Sequence, residues 1–259
     1  MGKLDGQVAL ITGAAGGLGQ ALAEGFVREG CHLFLSDLES PKLSRVIDHL
    51  RSRGATVRGA PADLRNCEQT RAVVERVVKE YGHLDVLVNN AAVSSMRSLW
   101  ELTEHDWNEV LEVNVKGLFF ALQSTARHMA ERGGGSIINI ASVAGRVGRP
   151  TLLHYAASKA AVISITRSAA LALAKERVRV NAIAPGMIDT EMLHDLQSAW
   201  NEVSPGEDKS ANHPSPNKVP LGRVAKPEDI VPTAVYLASR DSEYMTGQTL
   251  NVCGGLVMS

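Results

Sequence analysis

The stretch that most constrains the fold is a glycine-rich turn near the N-terminus. An apolar run over Gln7–Ile11 leads into glycines at positions 13, 17 and 19, and a helical pattern then continues through Arg28. Strand, glycine turn and helix are the first half of a βαβ unit. Unpaired backbone N–H groups collect at the start of such a helix and glycines permit close approach, so the turn predicts a pyrophosphate site. Because the spacing is not the standard G-x-G-x-x-G, a plain glycine turn is the alternative.

An acidic residue ends the second predicted strand. His32–Ser36 is an apolar run followed by Asp37, and a carboxylate about 20 residues beyond the glycine turn is placed to bind a ribose diol. It would repel a 2′-phosphate, which favours NAD over NADP. We see no compensating cation beside the turn, at Ala15, Gly16 or Leu38. The alternative is that Asp37 only caps the following turn.

Strands and helices then alternate regularly, with helical patterns over Pro41–Arg53 and Asn66–Tyr81. This alternation predicts a parallel sheet with helices on both faces. Ligands of such sheets bind beyond the carboxyl ends of the strands, where Asp63 and Leu64 follow one strand and Asn89 and Asn90 another. The predicted later strands are Ala55–Ala60, Leu84–Val88, Ser136–Ala141, Val178–Ile183 and Thr249–Val252.

A long helix is predicted from Thr103 to about Arg132. Thr103 and Asp106 have the spacing of a capping box, although Asp replaces the usual Glu or Gln. Asn114 lies among apolar residues of this helix, and an amide in that position needs hydrogen-bond partners. A structural role and a catalytic role for Asn114 are both open.

The stretch Ile140–Lys159 carries the most suggestive chemistry. Ser142 stands at the end of a predicted strand, and Tyr155 precedes Lys159 by four residues. On a helix this spacing puts phenol and ammonium on one face, where the cation would lower the pKa of the phenol and make it a usable acid or base. A packed ring beside a solvated amine is the alternative.

Composition excludes several classes of function. The chain has 259 residues and a net charge of −1, which argues against non-specific nucleic-acid or membrane-surface binding. The N-terminal apolar run is too short for a signal peptide, and we expect a soluble, cytoplasmic protein. Three scattered cysteines favour buried thiols over a disulfide framework or metal site.

The regular alternation stops after Glu191. Glu191–Val203 reads as a short amphipathic helix, followed by a polar loop to Pro220. Since this segment leaves the sheet on the strand-end side, we interpret residues 191–220 as a substrate lid within one domain spanning residues 1–259, with an idle insertion as the alternative. A last helix is predicted to begin at Lys226 and to be interrupted at Pro232.

As an ordered set, these motifs resemble the classical short-chain dehydrogenases/reductases over nearly the whole chain. The set is Thr12-Gly13-x-x-x-Gly17-x-Gly19, Asp37, Asp63, Asn89-Asn90-Ala91, Asn114, Ser142, Tyr155-x-x-x-Lys159 and Pro185-Gly186 through Thr190. The resemblance implies a Rossmann-type doubly wound parallel sheet of about seven strands, a nicotinamide cofactor and commonly a homotetramer.

The resemblance also implies roles for individual residues. The catalytic tetrad would be Asn114, Ser142, Tyr155 and Lys159, acting on a secondary alcohol or ketone. The implied cofactor-binding residues are Gly13, Gly17, Leu18, Gly19, Asp37, Asp63, Leu64, Asn90, Ala91, Tyr155, Lys159, Pro185, Gly186, Ile188 and Thr190. Two positions depart from the family pattern: Ala92, where glycine is usual, and Cys253, where aspartate is frequent.

The substrate stays undetermined from sequence. Arg146 and Arg149 could recognise a carboxylate, although loop positions favour solvation. Another enzyme that the C-terminal segment resembles is a 3-oxoacyl-acyl-carrier-protein reductase, which is one alternative function. The other alternative is not an enzyme but a non-catalytic NAD(H) sensor or scaffold. Candidate pocket walls are Ser94, Met96, His154, Met187, Met192, Leu193 and Trp200.

Overall fold

A computed structural model describes residues 2–203 and 216–258. In this part of the chain a seven-stranded sheet has the order β3-β2-β1-β4-β5-β6-β7, and each neighbouring pair is parallel. The predicted doubly wound fold is therefore confirmed. The strands are β1 Val8–Thr12, β2 His32–Asp37, β3 Val57–Pro61, β4 Val86–Asn89, β5 Gly135–Ile140, β6 Val178–Pro185 and β7 Thr249–Val252.

The helices cover both faces of this sheet. We number them α1 Gly17–Arg28, α2 Pro41–Ser52, α3 Cys67–Tyr81, α4 Glu104–Leu111, α5 Leu118–Arg132, α6 Leu153–Leu173, α7 Glu191–Val203 and α8 Val231–Ala238. One apolar cluster joins the sheet to α1, α2 and α8, and a second joins the opposite face to α3, α5 and α6. Burial on both faces explains why β1 is apolar almost throughout.

Two helical segments differ from the prediction. Pro232 lies in the first turn of α8 and does not interrupt a helix. Proline is tolerated in a first turn because the backbone N–H that it lacks has no hydrogen-bond partner within the helix at that position. The long helix begins with the predicted capping box of Thr103 and Asp106, but Glu112–Gly117 between α4 and α5 is a π-helix.

By length and composition alone, Leu153–Glu176 is apolar enough to cross a membrane, which the sequence analysis did not foresee. In this fold α6 packs against β6 and α4. Its buried face carries Ser158, Lys159 and Thr166. We therefore interpret it as a helix that covers the sheet.

Part of the predicted lid is described. The amphipathic helix is present as α7, and Pro216–Lys218 forms a 3-10 turn. Residues 204–215 of the predicted loop lie outside the described residues.

Candidate active site

A cleft of about 930 Å³ lies at the carboxyl ends of the strands. The strand order reverses between β1 and β4, and such a switch point is where open α/β sheets bind ligands. Two features converge here: the glycine turn after β1 and the segment between β5 and α6.

The glycine turn requires its glycines for close packing. Gly13 has a φ of +64°, and a Cβ there would lie 2.6 Å from the Cα of Ala91. A Cβ on Gly19 would lie 2.2 Å from the carbonyl oxygen of Gly13. The α1 N-cap, Gly16, has no side-chain capping bond, and the first turn of α1 has no acidic residue. The start of α1 thus keeps backbone N–H groups for an anion.

Asp37 and Lys42 border one end of the cleft. One carboxylate oxygen of Asp37 accepts a hydrogen bond from the Ala15 N–H at 2.8 Å, and the other accepts from the Leu38 N–H at 2.7 Å. Lys42, at the start of α2, donates to Glu191 of α7 at 2.8 Å. Lys42 lies outside the glycine turn in sequence, so the residues beside the turn do not reveal this cation.

A hydrogen-bond network ties the glycine turn to the end of β4. The Asn90 amide donates to the carbonyls of Thr12 and Gly13 at 3.0 and 2.9 Å. In return, the Thr12 hydroxyl accepts from the backbone N–H groups of Asn90 and Ala91. The Asn90 side chain therefore fixes the loop after β4 against the glycine turn.

Asn114 lies in the π-helix and is completely buried. Its side-chain oxygen accepts from the Val93 N–H at 2.8 Å, and its amide donates to the Val93 carbonyl at 2.9 Å and to the Ser158 hydroxyl at 3.1 Å. These bonds hold the loop after β4 against α6. The side chain of Asn114 therefore has a structural role, while π-helical segments often mark functional sites.

Ser142, Tyr155 and Lys159 all border the cleft. Lys159 is only 2% exposed, and its ammonium donates to the Ile140 carbonyl at 2.8 Å and lies 5.6 Å from the centre of the Tyr155 ring. Helix α6 thus brings phenol and ammonium to one face, as its four-residue spacing predicts.

Burial controls the protonation of this pair. Burial raises the pKa of Tyr155, and hydrogen bonding with Ser142 acts in the opposite direction. The prediction that Tyr155 has a lowered pKa is thus wrong for the protein alone. Burial lowers the pKa of Lys159 to about 8, because a charged amine loses solvation inside the fold.

The chain matches the short chain dehydrogenase family over residues 7–201. It is a short-chain dehydrogenase. Enzymes of this family are oxidoreductases that bind nicotinamide cofactors.

Two curated relatives align with this short-chain dehydrogenase over nearly their full lengths. The chain is 42% identical to the galactitol 2-dehydrogenase of Agrobacterium fabrum, with 99% of the chain and 100% of the relative aligned. It is 38% identical to the 3-oxoacyl-acyl-carrier-protein reductase of Thermotoga maritima, with 99% of the chain and 100% of the relative aligned.

Two solved structures have the same fold as this dehydrogenase. An NAD⁺-bound xylitol dehydrogenase superposes with a TM-score of 0.92 at 32% identity, covering 98% of this chain and 100% of the other. An actinorhodin polyketide ketoreductase with NADPH gives a TM-score of 0.91 at 34% identity, covering 99% of each chain. Relatives of similar likeness thus carry different cofactors.

The fold brings the other predicted cofactor-binding residues of the dehydrogenase to the same cleft, whereas the predicted catalytic residue Asn114 does not border it. Besides the glycine turn and Asp37, these are Asp63, Leu64, Asn90, Ala91, Pro185, Gly186, Ile188 and Thr190. Arg65 binds Asp63 at 2.7 Å and lowers the pKa of its carboxyl. Ala92 also borders the cleft, whereas the Cys253 thiol interacts with the backbone of Val257.

The predicted substrate walls are mostly correct in position. Ser94, Met96, Met187, Met192, Leu193 and Trp200 border the cleft. His154 does not: it is completely buried, and its Nε2 lies 2.9 Å from the Ser95 hydroxyl. The predicted solvation of the two loop arginines is also wrong, since both are half-buried. Arg146 donates to the Thr249 carbonyl at 2.9 Å, and Arg149 borders the cleft.

Proposed function

We propose that the protein is an NAD(H)-dependent dehydrogenase that transfers hydride between nicotinamide and a secondary alcohol or ketone. The observation that carries this proposal is the placement of Ser142, Tyr155 and Lys159 on one cleft whose other end holds the glycine turn and Asp37. A single cleft that joins these two groups of residues at a topological switch point suits an extended dinucleotide.

The residues present fit a dinucleotide. The uncapped start of α1 suits the pyrophosphate, and Gly13 and Gly19 keep the backbone free of side chains there. Gly17 and Leu18, in the first turn of α1, would contact the same pyrophosphate. Asp37 would bind a ribose diol. On the remaining positions, Asp63 and Leu64 would contact the adenine, Asn90 and Ala91 the ribose region, and Pro185, Gly186, Ile188 and Thr190 the carboxamide side.

Tyr155 is the proposed acid and base. A nicotinamide, when bound, accepts or donates the hydride at its C4. In oxidation, the Tyr155 phenolate takes the proton of the substrate hydroxyl, and in reduction its phenol returns that proton to the oxygen. Ser142 donates to the substrate oxygen and so stabilises negative charge that develops on it.

Lys159 and Asn114 support that proton transfer. With a pKa of about 8, Lys159 is mostly protonated at neutral pH, and its charge would offset part of the cost that burial adds to forming the Tyr155 phenolate. It would also hold the nicotinamide ribose. Asn114 keeps the β4 loop and α6 together through Val93 and Ser158, and would position a water between Lys159 and solvent.

The choice between NAD and NADP depends on two opposed charges. Asp37 disfavours a 2′-phosphate, whereas Lys42 lies at the same end of the cleft and is the observation that favours NADP. Because backbone hydrogen bonds hold the Asp37 carboxylate at the glycine turn, whereas the Lys42 side chain is more than half exposed, we give Asp37 the greater weight and propose NAD. A 3-oxoacyl-acyl-carrier-protein reductase using NADP is the second candidate, supported by Lys42 and by the identity to the Thermotoga maritima relative.

The substrate site is proposed to lie under the α7 segment. The α7 residues that border the cleft are Met192, Leu193 and Trp200, so we propose that α7 is part of a substrate lid formed by residues 191–220. The lid would belong to a single domain spanning residues 1–259. The likeness to galactitol and xylitol dehydrogenases makes polyhydroxylated alcohols the first compounds to test. We also propose a cytoplasmic homotetramer, on the family resemblance.

A panel of secondary alcohols, assayed for cofactor reduction with NAD and NADP in parallel, tests this proposal. Tyr155→Phe should lower kcat by roughly 10³-fold while leaving NADH binding, followed by fluorescence, largely unchanged. The fully exposed Tyr244 gives the matched control, Tyr244→Phe, which should keep its activity. Residual activity of the Tyr155 variant near that of the control would exclude Tyr155 as the acid and base. NADH binding without turnover of any alcohol would favour the non-catalytic sensor.

The cofactor preference has its own test. Asp37→Ser should reduce the ratio of kcat/KM with NAD to that with NADP by roughly tenfold or more, because it removes a charge that repels the 2′-phosphate. Glu39→Gln removes the same charge from an exposed position two residues away and should leave the ratio close to that of the wild type. A wild-type preference for NADP would overturn the proposed role of Asp37.

A further inference from the structure

Most basic side chains at the cleft are engaged by the protein. Lys42 binds Glu191, Arg65 binds Asp63, and Lys159 donates to the Ile140 carbonyl. Arg149 differs from these three. Within residues 2–203 and 216–258, its guanidinium has no hydrogen bond and no ion pair.

Arg149 borders the cleft that also holds Ser142 and Tyr155. It lies on the loop between Ser142 and Tyr155, the two residues proposed to contact the reacting oxygen. The side chain is half-buried, and burial alone lowers the pKa of its guanidinium, which indicates that no described carboxylate compensates the charge. An uncompensated cation in a partly desolvated position is unfavourable until an anion joins it.

A second unpaired polar group lies on the adjacent loop. The Ser94 hydroxyl is buried and has no hydrogen-bond partner among the described residues, and Ser94 also borders the cleft. One hydrogen bond joins its loop to that of Arg149, from the Arg97 N–H to the Thr151 carbonyl at 3.0 Å. A second contact, between Ser95 and His154 at 2.9 Å, joins the Ser94 loop to the start of α6. Buried polar groups in folded proteins usually have partners, so a ligand is the natural partner for the Ser94 hydroxyl, and the half-buried Arg149 guanidinium on the adjoining loop is available to the same ligand.

We propose that Arg149 binds the carboxylate of an anionic substrate, a hydroxy acid or the corresponding keto acid, and that Ser94 binds a neighbouring substrate oxygen. This inference rests on the proposed function and names the substrate class for the same site. A neutral polyol would satisfy the Ser94 hydroxyl but leave the Arg149 charge unbalanced. A carboxylate matches the planar fork of the guanidinium and supplies the missing charge.

Matched pairs of sugar acids and polyols test the proposal: gluconate with glucitol, galactonate with galactitol, and xylonate with xylitol. The readout is the ratio of kcat/KM for the acid to that for the polyol, measured with saturating NAD. The wild type should favour the acid in at least one pair, and Arg149→Gln should lower that ratio roughly 10- to 100-fold. Arg149→Lys keeps the charge without the fork and should recover part of the ratio.

Arg146→Gln is the matched control. It removes the same charge from the same loop, at a side chain that does not border the cleft, and should leave the ratio unchanged. Calorimetric titration of the preferred acid into the NADH-loaded enzyme provides a second readout, in which the affinity should fall by the same factor for Arg149→Gln. Thermal unfolding of each variant establishes that it is folded.

The outcomes separate the inference from the proposed function. An acid-to-polyol ratio that Arg149→Gln leaves unchanged, or turnover of polyols without any acid, overturns the role of Arg149 while the dehydrogenase activity stands. If no secondary alcohol is oxidised with either cofactor, the proposed function fails and this inference fails with it.

Discussion

At the carboxyl ends of β1 and β4, polar side chains bond to one another and to the backbone, whereas those on the β5–α6 loop and the first turns of α6 face the cleft. Thr12 and Asn90 form a closed set of hydrogen bonds around the glycine turn, and Asn114 uses both ends of its amide. Lys159 has a single bond to a carbonyl, and Arg149 has none within the described residues.

The two regions handle the cost of burying polar groups differently. A satisfied network contributes to stability, and removing one member leaves its partners unpaired. A buried polar group without adequate partners lowers stability, and it is retained where a ligand supplies the missing hydrogen bonds or charge. Substitutions in the first region should therefore destabilise the protein, while those in the second should stabilise it and reduce activity.

The largest effect is expected at Asn114. Asn114→Leu leaves the N–H and carbonyl of Val93 and the hydroxyl of Ser158 without their present partners. We expect the free energy of unfolding to fall by roughly 3 to 5 kcal/mol, measured by urea denaturation.

Gln123→Leu is the control for this prediction. It places the same side chain on an exposed face of the next helix, α5, and should change stability by less than about 0.5 kcal/mol. If the two substitutions change the free energy of unfolding equally, the hydrogen bonds of Asn114 make no specific contribution to stability.

A stabilising substitution is expected at Lys159. Below pH 8 the ammonium is charged in both the native and unfolded states, and the native state bears the full cost of burying it. Lys159→Met should therefore be more stable than the wild type at pH 7, by up to roughly 3 kcal/mol, and should lose turnover.

The sign of the pH dependence follows from the lowered native pKa. As the pH rises from about 8 towards 10.5, the ordinary pKa of lysine, the unfolded chain holds a proton that the native state has released, so the wild type gains stability relative to Lys159→Met. Thermal unfolding of the cofactor-free proteins across this range measures the difference. Lys175→Met, at an exposed position, should show no such trend, and a constant difference for Lys159→Met would contradict the lowered pKa.

The sequence predicts the order of the elements because apolar periodicity and glycine position are local signals. The strand from Val8 and the helix after Gly16 both occur within a few residues of their predicted bounds, and Tyr155 and Lys159 lie on one helix, as their spacing predicts. Since parallel strands end at one edge, the meeting of Asp37 with the β5–α6 segment on one cleft also follows from sequence.

Properties that depend on packing could not be predicted in this way. The π-helix around Asn114 has the same apolar pattern as an α-helix. Burial, which no local pattern reports, raises the pKa of Tyr155 and removes His154 from the cleft wall. Lys42 reaches the cleft because α2 turns its first residues towards α7, a contact between segments far apart in sequence.

The smallest effect is expected at the ion pair between Lys42 and Glu191, which links α2 to the start of the lid helix α7. Both side chains are more than half exposed, and exposed pairs contribute little because water and salt screen them. Lys42→Gln, Glu191→Gln and the double variant should each change NAD affinity less than about threefold, with any coupling lost in high salt. A coupling that survives high salt would mean that the pair is shielded when the cofactor is bound. Lys42 would then resemble Asn90 and Asn114, whose hydrogen bonds are all made within the protein, and it would be less available to bind a 2′-phosphate.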